Sequence, residues 1–243
     1  ILHRAGMAPT RLSLERKKAH DGLAPSVSLK RVQIRLEIEL SLEEYVSQKV
    51  WCRARLLRCP LHPEGGCGFA AHGSYPRKYP IPHRIARAYC RKGQTTFGLI
   101  PDFAASHIPG TLPEIEAAVV VYESEVNIYQ AADLVRPPEI LPDDRDPITL
   151  EATAQWLRRR VAWVRTTLIT VAGLFPDLFS GCEMTLTAFR ARLRSDSALM
   201  DLRGICADQL EVLPIPVGYG HRSCNGKTPI RVVQQCLWSD RPP

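Results

Sequence analysis

Cys59, His62, Cys67 and His72 follow one another at C-x2-H-x4-C-x4-H spacing, and Cys90 stands eighteen residues further on. Thiolates and imidazoles carried on tight turns can gather one tetrahedral ion, and this is how a loop-rich segment acquires a fixed shape without a large core. Gly65, Gly66, Gly68 and Gly73 give the backbone freedom to wrap the ion. The candidates outnumber the positions, so two ligand sets stand open. One draws all four ligands from 59–72. The other pairs Cys59 and His62 or Cys67 with Cys90 across a hairpin. The expected ion is Zn2+ in a structural role. Without metal, Phe69, Tyr75, Tyr89 and Phe97 would have to hold the segment as a small core. His83 and His107 read as packing or surface residues.

Around this segment the chain reads as α+β. Val32, Ile34, Leu36, Ile38 and Leu40 alternate with Gln33, Arg35, Glu37 and Glu39, the period of a half-buried strand. Ser41 with Glu44 forms a capping-box signature for a short helix through about Ser47. A second helix is expected to open at Thr111 with Pro113 in its first turn, and a third to span about Asn127 to Val135. Leu150, Ala154, Leu157, Val161, Val164, Leu168 and Val171 then mark a seam on a long helix from about Thr149 to Ala172. That seam either packs on the chain's own core or joins a second copy as a homodimeric coiled coil. The expected organisation is a polar tail (1–28), a strand-containing module (29–103), short helices with a Pro-rich acidic linker (104–147), a helical part (148–213) and a Pro/Gly-rich tail (214–243).

Charge is distributed unevenly. The chain carries a net +7. Between Cys52 and Gln94, cations that include Arg77, Lys78, Arg84 and Arg87 face Glu64 alone, whereas acidic residues dominate from Pro101 to Ile148. Arginines and lysines interleaved with Tyr75, Tyr79, Tyr89 and Phe97 suit phosphate contact with some base stacking. An acidic barrier from 101–148 would instead favour a protein-interaction module. No apolar run is long enough to span a membrane, and the opening residues lack a secretory signal. Eight cysteines are then expected as thiols or ligands in a bacterial cytoplasm. An enzyme is not expected and no catalytic residue is assigned. G-x-S-x-G and H-E-x-x-H are lacking, and "GHRSCNGKT" has His221 where a phosphate loop requires glycine.

"CPLH", "HGSYPRK", "IARAYCRKGQTTF" and "LIPDF" together resemble the zinc-ribbon segment that precedes the catalytic core of many insertion-sequence transposases. The resemblance covers about a fifth of the chain. It departs from the ribbon pattern where a second cysteine pair would stand, since Cys90 is followed by Gly93-Gln94, and His62 occupies a position where cysteine is commoner. Cys67 or His72 would then complete the site. The resemblance implies DNA binding. It also implies a helix-turn-helix, for which "NIYQAADLV" and "ITLEATAQWLRRRV" are similar to the first and recognition helices. Thr149, Thr153, Gln155, Arg158 and Arg159 would then face the groove, although a connection of about a dozen residues replaces the usual tight turn. Beyond Pro147 only helices and a tail are expected, so no recombinase core is expected with it.

Overall fold

A computed structural model describes residues 30–136 and 148–220, together with the strand at 236–237. The opening tail, the Pro-rich stretch 137–147 and residues 221–228 of the phosphate-loop-like segment lie outside the described residues. The architecture is α+β. A four-stranded sheet of β1 (Lys30–Leu36), β3 (Phe69–Arg77), β4 (His83–Cys90) and β5 (Thr95–Pro101) has the order β1-β5-β4-β3. β1 runs parallel to β5, and the other pairs are antiparallel. A short β2 (Arg55–Leu56) pairs with β6 (Cys236–Leu237).

Local signals place the first helices. Ser41 caps α1 (Leu42–Ser47) and Thr111 caps α2 (Leu112–Ser124), each with the reciprocal glutamate of a capping box, Glu44 and Glu114. Asn127 caps α3 (Ile128–Val135) by accepting from the Tyr129 and Gln130 backbone N–H groups. The alternation through Leu40 extends beyond the strand that forms. β1 stops at Leu36 because its partner β5 ends at Pro101, and the Ile38 N–H is taken by the Asp102 carboxylate at 3.3 Å instead of a ladder carbonyl.

The long helix forms as α4 (Leu150–Leu174), capped by Thr149. Its seam turns inward. Ala154, Leu157, Val164, Leu168 and Val171 are each at most 1% exposed, packed among α2, α3, α5 (Pro176–Phe179) and α6 (Leu186–Leu193). Burial of each such leucine is worth roughly 1.5–3 kcal/mol, so the chain itself satisfies the seam. Of the two uses expected for 150–171, the seam takes the first along most of its length, packing on the chain's own core, with Leu150 and Val161 half-buried.

α7 (Ala198–Ile205) closes the helical layer. One hydrophobic core runs from Ile34 and Leu99 of the sheet to Leu168 of α4 and Leu202 of α7. The segment expected to begin a tail at 214 is part of that core at its start. Val217 and Tyr219 are buried, and the Pro216 carbonyl accepts from both the Ser106 backbone and its hydroxyl at 2.9 Å. The acidic stretch is also structural where described. Asp102 pairs with Arg35 at 2.5 Å, Glu116 accepts from the Ala198 and Leu199 N–H groups at the start of α7, and Glu123 accepts from Leu186 and Thr187 at the start of α6. Carboxylates at helix N-termini complement the unpaired N–H groups and the helix dipole.

Candidate metal centre

Two turns build the centre. In the first, Pro60 presets the bend of Cys59-Pro-Leu-His62, and the His62 N–H donates to the Cys59 carbonyl at 3.1 Å. In the second, β4 delivers Cys90, and the Gly93 N–H donates to the Cys90 Sγ at 3.2 Å. Cys67 joins from the glycine-rich loop between them, tied to the second turn by the Lys92 N–H to the Cys67 carbonyl at 3.1 Å. Gly65, Gly66 and Gly68 all adopt positive φ there, the left-handed conformation that most residues avoid.

The donor atoms of Cys59, His62, Cys67 and Cys90 all lie within 4.8 Å of one another. Nδ1 of His62 is 3.6 Å from the Cys59 Sγ and 3.4 Å from the Cys90 Sγ. A tetrahedral ion with metal–sulfur bonds of ~2.3 Å and metal–nitrogen bonds of ~2.0 Å would hold such S···N pairs ~3.6 Å apart. The four residues therefore fit one ion. The three cysteines are buried, and burial pushes the Cys59 thiol up to about 11, with the neighbouring Cys90 and Cys67 thiols adding to the rise. A bound cation would supply the positive charge that lets these sulfurs persist as thiolates.

The set unites Cys90 with Cys59, His62 and Cys67, across the two turns. His72 lies outside it, exposed on β3 with its ring 5.3 Å from that of Tyr89. The extended chain carries it away, since from Phe69 each residue advances about 3.3 Å along the strand. Gly93, at the point where the ribbon pattern would place its missing cysteine, does stand at the cluster. A Cβ there would come within 3.2 Å of the Cys90 Sγ and 3.6 Å of the His62 ring, but only 2.6 Å from Leu61. Cys67 supplies the fourth donor from the opposite side. Cys67→Ser is accordingly expected to abolish stoichiometric metal binding and His72→Ala to leave it intact, as read by metal analysis of the purified proteins. Glu64 is exposed and stands apart from the donor set, and His83 is buried against Tyr45 and Phe103. A closed four-ligand site can brace loops, whereas chemistry at a metal needs an open position.

The basic residues divide. Arg77, Lys78 and Arg87 line a single cleft of about 740 Å³ on one sheet face, joined by Arg31, which sequence reasoning missed. Its position on β1 opposite Thr96 of β5 could not be read before the strands were paired. Arg84 lies outside that cleft, exposed on the other face of β4 by the strand's two-residue period. It bonds to the Ser74 hydroxyl at 2.7 Å and carbonyl at 3.0 Å. Phe97 is fully buried and offers no stacking surface.

On α4, Arg158 and Arg159 are exposed, with Arg158 3.4 Å from Glu151 and 5.4 Å from the Tyr129 ring centroid. Thr153 faces the core, donating its hydroxyl to the Thr149 carbonyl at 3.2 Å, so it cannot read a groove as the helix-turn-helix expectation required. No family model, curated protein or solved structure matches the chain. The likeness to transposase ribbons therefore stands on the motif residues alone. No helix among the described residues is long and apolar enough to cross a membrane.

Proposed function

We propose that this chain is a DNA-binding zinc protein, related to the DNA-binding regions of insertion-sequence transposases and without recombinase or other enzymatic activity of its own. Zn2+ is the ion that best suits three sulfurs and one imidazole in a tetrahedral arrangement, and its role is to fix the loops that flank the sheet. A bacterial cytoplasm, which keeps thiols reduced, suits such a centre.

One observation carries the DNA reading. The cleft lined by Arg31, Arg77, Lys78 and Arg87 has no carboxylate in its lining. Such a surface attracts polyanions through counterion release. Glu114 stands beside Tyr79 at the cleft wall but is committed to the Thr111 cap of α2, and Asp102, Glu116 and Glu123 are committed to Arg35 and to helix N-termini. The rival reading, an interaction module using the α4 seam, is less favoured, since five of the seven seam residues are buried in the chain's own core.

Fluorescence anisotropy with labelled DNA over a salt series tests this. The logarithm of the binding constant is expected to fall linearly with the logarithm of salt concentration. Arg31→Gln and Lys78→Gln, at exposed positions, are each expected to reduce the slope by about 1. Absence of binding at low salt would overturn the proposal.

A further inference from the structure

The sheet face that carries the basic cleft is also its aromatic face. Strand pairing sets Gln33 of β1 and Arg87 of β4 on either side of Gly98, and Arg31 and Tyr89 on either side of Thr96. Side chains of paired residues share a face, so these positions form two rows across the sheet, bordered by Tyr75 and Arg77 of β3. The centre is low because Gly98 and Thr96 are small. The Tyr75 ring lies over Gly98 of β5, within van der Waals contact of where a Cβ would stand.

Three features of this face point to the form of its ligand. The Arg87 guanidinium lies 6.0 Å from the Tyr75 ring centroid, and its buried Nε has no hydrogen-bond partner among the described residues. Tyr79 is 52% exposed at the cleft wall. The cations sit around the aromatic rings within a recess and do not project on a helix or a ribbon. A duplex presents its phosphates on a stiff convex surface and keeps its bases stacked inside, so it would touch only the rim. A single strand can lay phosphates on the rim cations and turn unstacked bases onto the rings.

We infer that this cleft is a single-stranded nucleic-acid site, in which Arg31, Lys78 and Arg87 hold phosphates and Tyr75 and Tyr79 stack bases. The inference rests on the DNA-binding reading and specifies the strand state that the site takes. Phosphodiester and base chemistry is shared by DNA and RNA, so the sugar is left to the experiment.

The test is anisotropy titration of the full chain with a labelled oligonucleotide of about a dozen deoxynucleotides, its ribonucleotide counterpart and the same deoxy sequence as a duplex. The single-stranded forms are expected to bind at least about tenfold more tightly than the duplex. Tyr75→Leu and Tyr79→Leu are each expected to weaken single-strand binding by roughly 5- to 100-fold, the range that base–aromatic stacking supports, and to leave the weak duplex binding unchanged. Melting temperature is followed in parallel. Tyr79, being exposed, decides the matter if Tyr75→Leu fails to fold.

Equal or tighter duplex binding would overturn the single-strand inference and leave the DNA-binding proposal standing. Unchanged single-strand affinity in Tyr79→Leu and in a folded Tyr75→Leu would also overturn it. Preference for the ribonucleotide strand would support the cleft's strand selectivity and overturn DNA as the ligand. Binding of none of the three would overturn both.

Discussion

Replacing Arg203 with methionine is expected to destabilise the protein by several kcal/mol, since each buried acceptor left without a donor costs about 1–3 kcal/mol. Arg203 lies on α7 and is fully buried. Its Nε donates to the Val217 carbonyl at 3.0 Å, and Nη2 to that of Pro216 at 2.9 Å. Nη1 faces the carbonyls of Pro101, Asp102 and Ala104 at 3.2, 2.8 and 2.7 Å. One guanidinium thus joins the exit of β5, α7 and the 214–220 segment, and the Tyr219 ring lies 5.7 Å from it.

Burial lowers the Arg203 pKa from its ordinary value, opposed by the nearby Tyr219 and Asp102. The group nevertheless stays charged in the working pH range. Methionine would fill much of the space and leave the Val217, Asp102 and Ala104 carbonyls without the guanidinium, while Pro216 and Pro101 keep donors from Ser106 and Ala104. Lysine is expected to recover little, because its single ammonium cannot serve carbonyls spread around a planar fork. Urea unfolding checks this. A fall in midpoint at unchanged slope is expected, and a loss below about 1 kcal/mol in both variants would show that water or rearrangement replaces the guanidinium.

Arg203 also shows where the sequence stops being legible. On a helix next to Asp201 and Gly204 it reads as an ordinary surface cation, and only the return of the chain at 216–217 makes it central. Glu116 and Glu123 are similar cases. They read as solvated acids in an acidic stretch, yet they cap helices that begin 63 to 82 positions later. Features set within a few residues were readable. Ser41 caps as the spacing implies, the helices expected near Thr111, Asn127 and Thr149 open there, and the α4 seam is apolar at the expected steps.

The candidate metal centre lies between these cases. Cys59 and His62 belong to one turn and pair by spacing, and the sequence favours Cys67 with His72 as its substitute; the physical reason His72 stays out is that β3 begins at Phe69. The basic face was half legible. Composition marked Arg77, Lys78 and Arg87, while strand register alone brings in Arg31 and sends Arg84 elsewhere.

Stripping the proposed zinc with a strong chelator is expected to open the sheet's outer edge while the helical layer persists. The three cysteines of the centre belong to the same core as Phe97 and Ile85, so the centre is continuous with the sheet. Cys90 sits opposite Phe69 on one side and Thr95 on the other, and the donor set therefore anchors β3 and β5 through β4. The 59–67 loop has few buried apolar side chains of its own, and without an ion little opposes its chain entropy. Structural zinc sites in small peptides contribute about 10–16 kcal/mol of apparent binding energy, which a zinc bound here would supply as folding energy for the loop and the strands it borders.

The α4–α7 layer rests on Leu157, Leu168, Phe189 and Leu202, all fully or almost fully buried, and none of the donor residues lies on its helices. Hydrogen exchange should therefore show protection lost over about 58–97 in the stripped protein and retained in α4 and α7, with recovery when zinc is restored. Cys90→Ser should reproduce the stripped pattern and resist rescue by zinc. Uniform loss of protection across both layers would instead mean that the ion supports the whole core. Unchanged exchange in a chain proven to have lost its metal would make the centre dispensable for the fold.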